Sequence, residues 1–217
     1  MPPVLTLYDD TLSNGAALAL PALPRLIFVV HGAVTIAERT LTDGETWHGE
    51  GAVTLTAGKA GATCWRWELT ATANRTDAAS GAGIRSCEKL STELATIPQG
   101  ELILRGDSVA FPPGGCAYFH THQGPGIRCL IEGGIRIDTH GRSTSYGPGS
   151  AWYESGPEPV FAQAADRASR FIRVMILPRA YLGKSSLQLV NEEDKAKPRA
   201  QQYKIFADAP IAFQAAL

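Results

Sequence analysis

The chain has 217 residues, 44% of them apolar and 19% charged, with 22 Gly and 14 Pro, which is material for one sizeable domain or two small barrels. Twenty Lys and Arg against 21 Asp and Glu give a formal charge of −1. Without a basic surplus there is no sequence-independent pull toward phosphate backbones or anionic lipid, so nucleic acid and membrane are set aside as partners. No stretch offers the ~18 apolar residues that cross a bilayer, and Met1 to Asp10 has no basic segment followed by an apolar one, which points to a cytoplasmic protein. Cys64, Cys87, Cys116 and Cys129 lack CxxC spacing, so reduced thiols are expected.

Along the chain, short runs rich in Val, Ile, Leu and aromatics alternate with Gly and Pro turns. Leu26-Ile-Phe-Val-Val30, Ala52-Val-Thr-Leu-Thr56 and Trp65-Arg-Trp-Glu-Leu69 are the first predicted strands. Ala71 to Gly100, rich in Ala, Ser, Thr and Gly, reads as a linker, with Ser86 to Leu94 as one of the few stretches open to a helix. Leu130 to Ile137 and Phe171 to Leu177 are strands again.

These strands repeat. Phe28 to Ile36 lies on Leu130 to Ile137 with Gly32 matched to Gly133, an offset of 101, and each glycine reads as a hairpin turn. Asp43-Gly-Glu-Thr-Trp47 lies on Pro148-Gly-Ser-Ala-Trp152 at an offset of 105, so the second copy has four extra residues in its hairpin. The copies close with Trp65-Arg-Trp-Glu-Leu69 and Ile172-Arg-Val-Met-Ile176. The expected organisation is a first barrel over 1–72, a linker over 73–100, a second barrel over 101–181 and a tail over 182–217. The tail is expected to dock on the first barrel or on a partner chain, making a homodimer.

The chemistry-bearing segment is Pro112-Pro-Gly-Gly-Cys-Ala-Tyr-Phe-His-Thr-His-Gln-Gly-Pro-Gly126. Alternation along a strand puts Tyr118, His120 and His122 on one face, where two imidazoles can hold one metal ion. Gly114, five residues, His120-x-His122, then Gly133 and Gly147-Pro-Gly-Ser-Ala-Trp-Tyr-Glu-Ser-Gly-Pro-Glu-Pro159, resembles the two signature motifs of the cupin superfamily. That resemblance implies an all-β chain of two fused cupin barrels, double-stranded β-helices or jelly rolls, often dimeric and often holding Fe, Mn, Ni or Zn.

The departures are specific. Gly126 stands where the family's motif has a Glu ligand, Val160 where it has the second motif's His, and Ala19 and Pro21 match the two histidines in the first barrel. A third donor to a divalent metal ion then comes from Glu154, preferred as an anionic hard ligand, or from Gln163. If the Gly126 position faces inward as in the family, so does Arg128, and its guanidinium requires an anion, either Glu154 or a substrate carboxylate; a one-residue slip would turn it outward. Tyr118 is placed beside the metal as a proton donor or anchor, or else lines the barrel. The resemblance implies a metal-dependent oxygenase, lyase or isomerase acting on a small carboxylate; the alternative is a non-catalytic cupin that binds or stores a small, anionic ligand.

Overall fold

The computed structural model describes residues 2–71 and 80–213; residues 73–79 of the expected linker lie outside the described residues. The chain divides into two compact units, Met1–Ala95 with Ile211–Leu217, and Thr96–Pro210. Among the described residues the helical content is two short 3₁₀ turns, Arg179–Tyr181 and Glu192–Ala196. Residues 84–93, part of the stretch left open to helix, form a strand. An edge of β1 with unpaired backbone groups decides this where local propensity is weak.

The first unit contains β1 (Val4–Leu12), β2 (Ala17–Leu20), β3 (Arg25–Ile36), β4 (Arg39–Thr42), β5 (Thr46–Gly49), β6 (Val53–Thr70), β7 (Ser80–Gly81) and β8 (Ile84–Glu93). They pair in the order β4-β3-β6-β1-β8-β7, with β2 on β6 and β5 on β3. The interior is apolar over most of its length, with Leu18 and Leu20 packed among Ile27, Val29, Val34, Ile36 and Leu55. These two leucines, not Ala19 and Pro21, are the inward positions of β2. The offset for this strand is therefore 102 from His120 and His122 rather than 101.

The same face continues into charge. Asp10 has the strand parity of Leu12, Arg25 that of Ile27, and Arg66 and Glu68 that of Cys64, all three reference residues being core. Arg66 grips Asp10 with two hydrogen bonds, of 2.6 and 3.1 Å. Its third nitrogen reaches Glu68 at 2.7 Å. Glu68 also accepts from Arg25 at 2.9 Å, and the Arg66 guanidinium lies 4.2 Å over the Tyr8 ring. Two cations and two anions, all buried, thus cancel, which is how a barrel interior holds ionised groups.

The second unit contains β9 (Leu102–Phe111), β10 (Cys116–His122), β11 (Gly126–Glu132), β12 (Ile135–Thr139), β13 (Arg142–Tyr146), β14 (Ala151–Glu154), β15 (Val160–Ala164), β16 (Ser169–Pro178), β17 (Leu187–Leu189) and β18 (Gln202–Ile211). One sheet runs β13-β12-β15-β10-β17 and the other β14-β11-β16-β9-β18. Between them Val109, Phe111, Leu130, Ile135, Trp152, Ala162 and Phe171 form the core. The tail divides between the two units rather than docking wholly on the first. Strand β17 pairs with β10, Leu187 opposite His122, and β18 flanks β9, so most of the tail covers an edge of each sheet of the second unit, while its end from Ile211 belongs to the first unit, where Ala212 N donates to Glu50 Oε2 at 2.9 Å.

The internal repeat appears as identical backbone bonds. Gly44 N donates to Val29 O at 2.8 Å and Gly149 N to Leu130 O at 2.7 Å; Val29 N and Leu130 N donate back to Glu45 O and Ser150 O, each at 3.0 Å. The matched glycines, however, are not hairpin turns. Gly32 (φ 86°) lies at an irregularity within β3, and Gly133 (φ 83°) at the corner between β11 and β12. A Cβ would come 2.2 Å from Gly61 O at the first and 2.3 Å from Ala168 O at the second, so only glycine lets the strand bend there. The hairpins turn at Ala37-Glu38 (φ 45° and 66°) and His140-Gly141 (φ 51° and 69°), two-residue loops with positive φ throughout.

Removing one partner of the buried network leaves a charge that the barrel cannot solvate. Asp10→Ala is expected to lower unfolding free energy by ~3–5 kcal/mol, read from urea denaturation. Glu132→Ala, which breaks the exposed pair to Arg170 at 2.7 Å, is expected to cost under ~1 kcal/mol. Equal effects would contradict the assignment of the network as a buried, mutually compensating unit.

Candidate anion and metal site in the second barrel

His120 and His122 lie on β10 with 5% and 4% exposure, and their rings meet edge to face with centroids 4.9 Å apart. The alternation that put Tyr118 beside them fails because β10 is bulged. Ala117 stands opposite Ala162 and His120 opposite Val160, three residues against two, so Ala117, His120 and His122 face inward. Tyr118 is carried off that face, its ring 4.9 Å from the Lys197 ammonium, and the geometry gives it no role among the interior groups. Cys116 shares the displaced register, opposite Gln163.

Gln163 is likewise on the wrong side. On β15 the inward residues are Val160, Ala162 and Ala164, all in the core, so alternation turns Gln163 away from the histidines.

Glu154 and Arg128 do converge on His122. Gly126 faces Glu154 and Arg128 faces Trp152 across the β11–β14 pair. Arg128 is 1% exposed. Its Nη2 lies 2.7 Å from Glu154 Oε2, off the hydrogen-bonding direction, so both atoms lack a hydrogen bond. Nη1 donates to Gly126 O at 2.6 Å, and Trp152 Nε1 donates to Glu154 Oε1 at 2.9 Å. Glu154 Oε2 is also 3.6 Å from His122 Nε2.

The Gly126 position cannot carry the family's Glu. A Cβ there would meet Val174 O at 2.4 Å and Met175 Cγ at 2.8 Å. The carboxylate comes instead from the opposite residue on the neighbouring strand.

Three contributors escaped the sequence reading. Arg173 on β16 is 6% exposed, holds Asp107 of β9 by bonds of 2.9 and 2.8 Å, and brings Nη1 to 3.4 Å from His122 Nε2. Its signal was present in the repeat, which lays Trp65-Arg66-Trp67 on Ile172-Arg173-Val174. Tyr203 of β18, 5.9 Å from the Arg173 guanidinium, lines with His120, His122, Arg128, Glu154 and Arg173 a cavity of ≈ 20 Å³. That is room for about one water-sized group. Nothing local in the tail sequence announced Tyr203.

Burial is the first cause that lowers both histidine pKa values, opposed for His120 by Glu154 and reinforced for His122 by Arg173 and Arg128. Burial also pulls Arg128 down to about 10, against the attraction of Glu154. Both imidazoles are therefore neutral near pH 7, able to ligate a cation or accept a proton. His120 Nδ1 lies 2.7 Å from the Tyr118 carbonyl, while His122 Nδ1 has no partner.

As arranged, the donors fall short of a metal site. Among the described residues no three His, Cys, Asp or Glu groups gather around one point. Arg173 stands at the ring nitrogen of His122 nearest Glu154, and Glu154 is already engaged by Arg128 and Trp152. Asp107 and Glu154 balance the two guanidiniums, so a dication would enter without a spare carboxylate to offset it.

An unfolded histidine takes a proton below its ordinary pKa of 6.5, and the folded chain resists doing so. The unfolded state then binds more protons, and stability falls as pH drops from about 6.5 toward the depressed folded values. The expected slope is up to about 1.4 kcal/mol per pH unit for each histidine. His122→Gln should flatten the pH dependence of the urea midpoint between pH 6.5 and 5; an unchanged slope would contradict a neutral, buried His122.

No family model and no curated protein matches the chain. Solved structures do. A variant of Bacillus subtilis oxalate decarboxylase matches with a TM-score of 0.61 and 12% identity over 89% of this chain and 73% of that one. Another structure of the same enzyme, described by its Mn(II) centres, matches with a TM-score of 0.60 at 12% identity and the same coverage. A cupin 2 conserved barrel domain protein from Leptotrichia buccalis matches with a TM-score of 0.50 and 9% identity over 81% of this chain and 84% of the other. With its paired sheets, its internal repeat and these neighbours, the chain has the cupin fold, two fused β-barrels in a single polypeptide.

Proposed function

We propose that the second barrel binds a small molecule bearing a carboxylate, with Arg128 as the anion anchor and His120 and His122 as neutral hydrogen-bonding partners. The supporting observation is the state of the interior polar atoms. In the first barrel the charged Asp10–Arg66–Glu68–Arg25 groups satisfy one another, whereas in the second Arg128 Nη2 and Glu154 Oε2 are paired by charge at 2.7 Å but make no hydrogen bond, and His122 Nδ1 is buried without a partner. Buried groups of this kind are costly unless something completes them. A carboxylate supplies acceptor oxygens to the Arg128 guanidinium, and a hydroxyl or protonated carboxyl on the same ligand would donate to Glu154 Oε2. The cavity as it stands is smaller than any such ligand, so binding requires its lining side chains to move apart.

A second reading keeps a divalent ion, Fe, Mn, Ni or Zn, on His120 and His122 with Glu154, and with it an oxygenase, lyase or isomerase acting on the same carboxylate. It is favoured by the unpartnered His122 Nδ1, the 3.6 Å approach of Glu154 to His122 and the likeness in fold to a decarboxylase described by its Mn(II) centres. The ion would polarise the bound ligand.

One set of measurements separates the readings. Calorimetric titration with oxalate and other small carboxylates is expected to show binding that weakens at least tenfold in Arg128→Ala and is partly restored in Arg128→Lys. Unchanged binding in Arg128→Ala would overturn the anchor. Metal analysis of protein purified without a His tag supports the second reading if near-stoichiometric metal is lost in His120→Ala/His122→Ala. Metal-free protein that rejects all four added ions leaves the binding module.

A further inference from the structure

The tail does more than cover sheet edges. On β9, Arg105 and Asp107 continue the inward row of Val109 and Phe111, and beyond Arg173 and Tyr203 this row opens into a pocket of ≈ 250 Å³. Its outer wall is made by the tail: Lys184, Ser186, Arg199 and Tyr203. All these residues belong to the second unit. Arg173 and Tyr203 line both this pocket and the small interior cavity, so they form the partition between them.

Four cations face the pocket, and two are matched. Arg105 grips Asp208 by two bonds of 2.9 Å and donates to the carbonyls of Lys184 and Tyr181 at 2.7 and 2.6 Å. Arg173 is held by Asp107. Lys184 and Arg199 have no carboxylate within 4 Å among the described residues, which leaves an excess of two positive charges on one concave wall. A lone exposed lysine or arginine is ordinarily just solvated. Here the two converge with a fixed guanidinium on a recess, where low-dielectric walls focus the field and favour an anion.

We propose that this outer pocket is a second anion site, taking a small dianion through its phosphate or carboxylate oxygens, with Lys184 and Arg199 as the mobile partners and Arg173 as the fixed inner wall. The Arg199 fork suits a bidentate oxyanion contact, and Lys184 adds a flexible point charge. The volume suits a phosphate or a short dicarboxylate. The site stands on its own residues and does not depend on occupancy of the interior cavity.

The test is calorimetric titration of the full chain with inorganic phosphate and, separately, with succinate in low-salt buffer. The double variant Lys184→Ala/Arg199→Ala changes only exposed side chains and leaves Arg128 in place, so the difference from the unmodified chain reports the outer pocket alone. Expected is binding of at least one probe that weakens tenfold or more in the double variant and declines with added NaCl. Phosphate alone binding marks a phosphoryl group as the recognised chemistry, and succinate alone a dicarboxylate; both support the site. Neither probe binding, or equal binding by the double variant, overturns it. Loss of an interior event in Arg128→Ala with the outer event intact, or the reverse, shows which of the two sites has failed.

Discussion

Each barrel is tied by a buried fork between an arginine on its long closing strand and an aspartate on its opening strand, Arg66 to Asp10 and Arg173 to Asp107. A guanidinium inside a β-barrel is tolerated only when its charge and its donors are answered, and a bidentate carboxylate answers both. The fork joins strands 56 and 66 residues apart in the chain. It therefore constrains how each barrel closes and fixes where polar groups interrupt the apolar core.

From that shared constraint the two barrels diverge. In the first, Glu68 and Arg25 complete a neutral quartet, and Leu18 and Leu20 stand at the inward positions that His120 and His122 occupy in the second. In the second, Arg173 reaches past Asp107 toward His122, and Arg128 meets Glu154 in a pair too oblique to satisfy either atom. The same architecture thus yields an interior with a closed charge network in one copy and, in the other, charged and imidazole groups that lack hydrogen bonds. The cost of unsatisfied polar atoms is the physical ground for looking for a ligand in the second.

Two small backbone features decide which residues reach that interior. The bulge in β10 adds one residue between Ala117 and His120, and it separates Tyr118 from the histidines. At Gly126 the backbone of β16 lies so close that no side chain fits, while Glu154 comes in from the opposite strand. The tail then adds Tyr203 to the lining of the interior cavity and builds the basic pocket beside it.

The sequence by itself determined much of the architecture. Alternating apolar runs gave the strands, the match of Phe28–Ile36 to Leu130–Ile137 and of Asp43–Trp47 to Pro148–Trp152 gave the repeat, and His120-x-His122 with Gly114 and the Gly147-Pro-Gly segment pointed to the cupin fold, because these signals are local. The inward direction of Arg128 was legible from parity, since no bulge intervenes between Gly126 and Leu130. Tertiary structure alone decided the rest. Tyr118 and Gln163 lost their expected places because a bulge and the fixed facing of the core set the register, and strand parity beyond a bulge cannot be counted from sequence. Residues 84–93 became strand because β1 offered an edge, and β17 and β18 of the tail joined the second unit's sheets because β10 and β9 offered theirs. Pairing partners far apart in the chain are chosen by the whole assembly of backbone donors and acceptors, which no local pattern encodes.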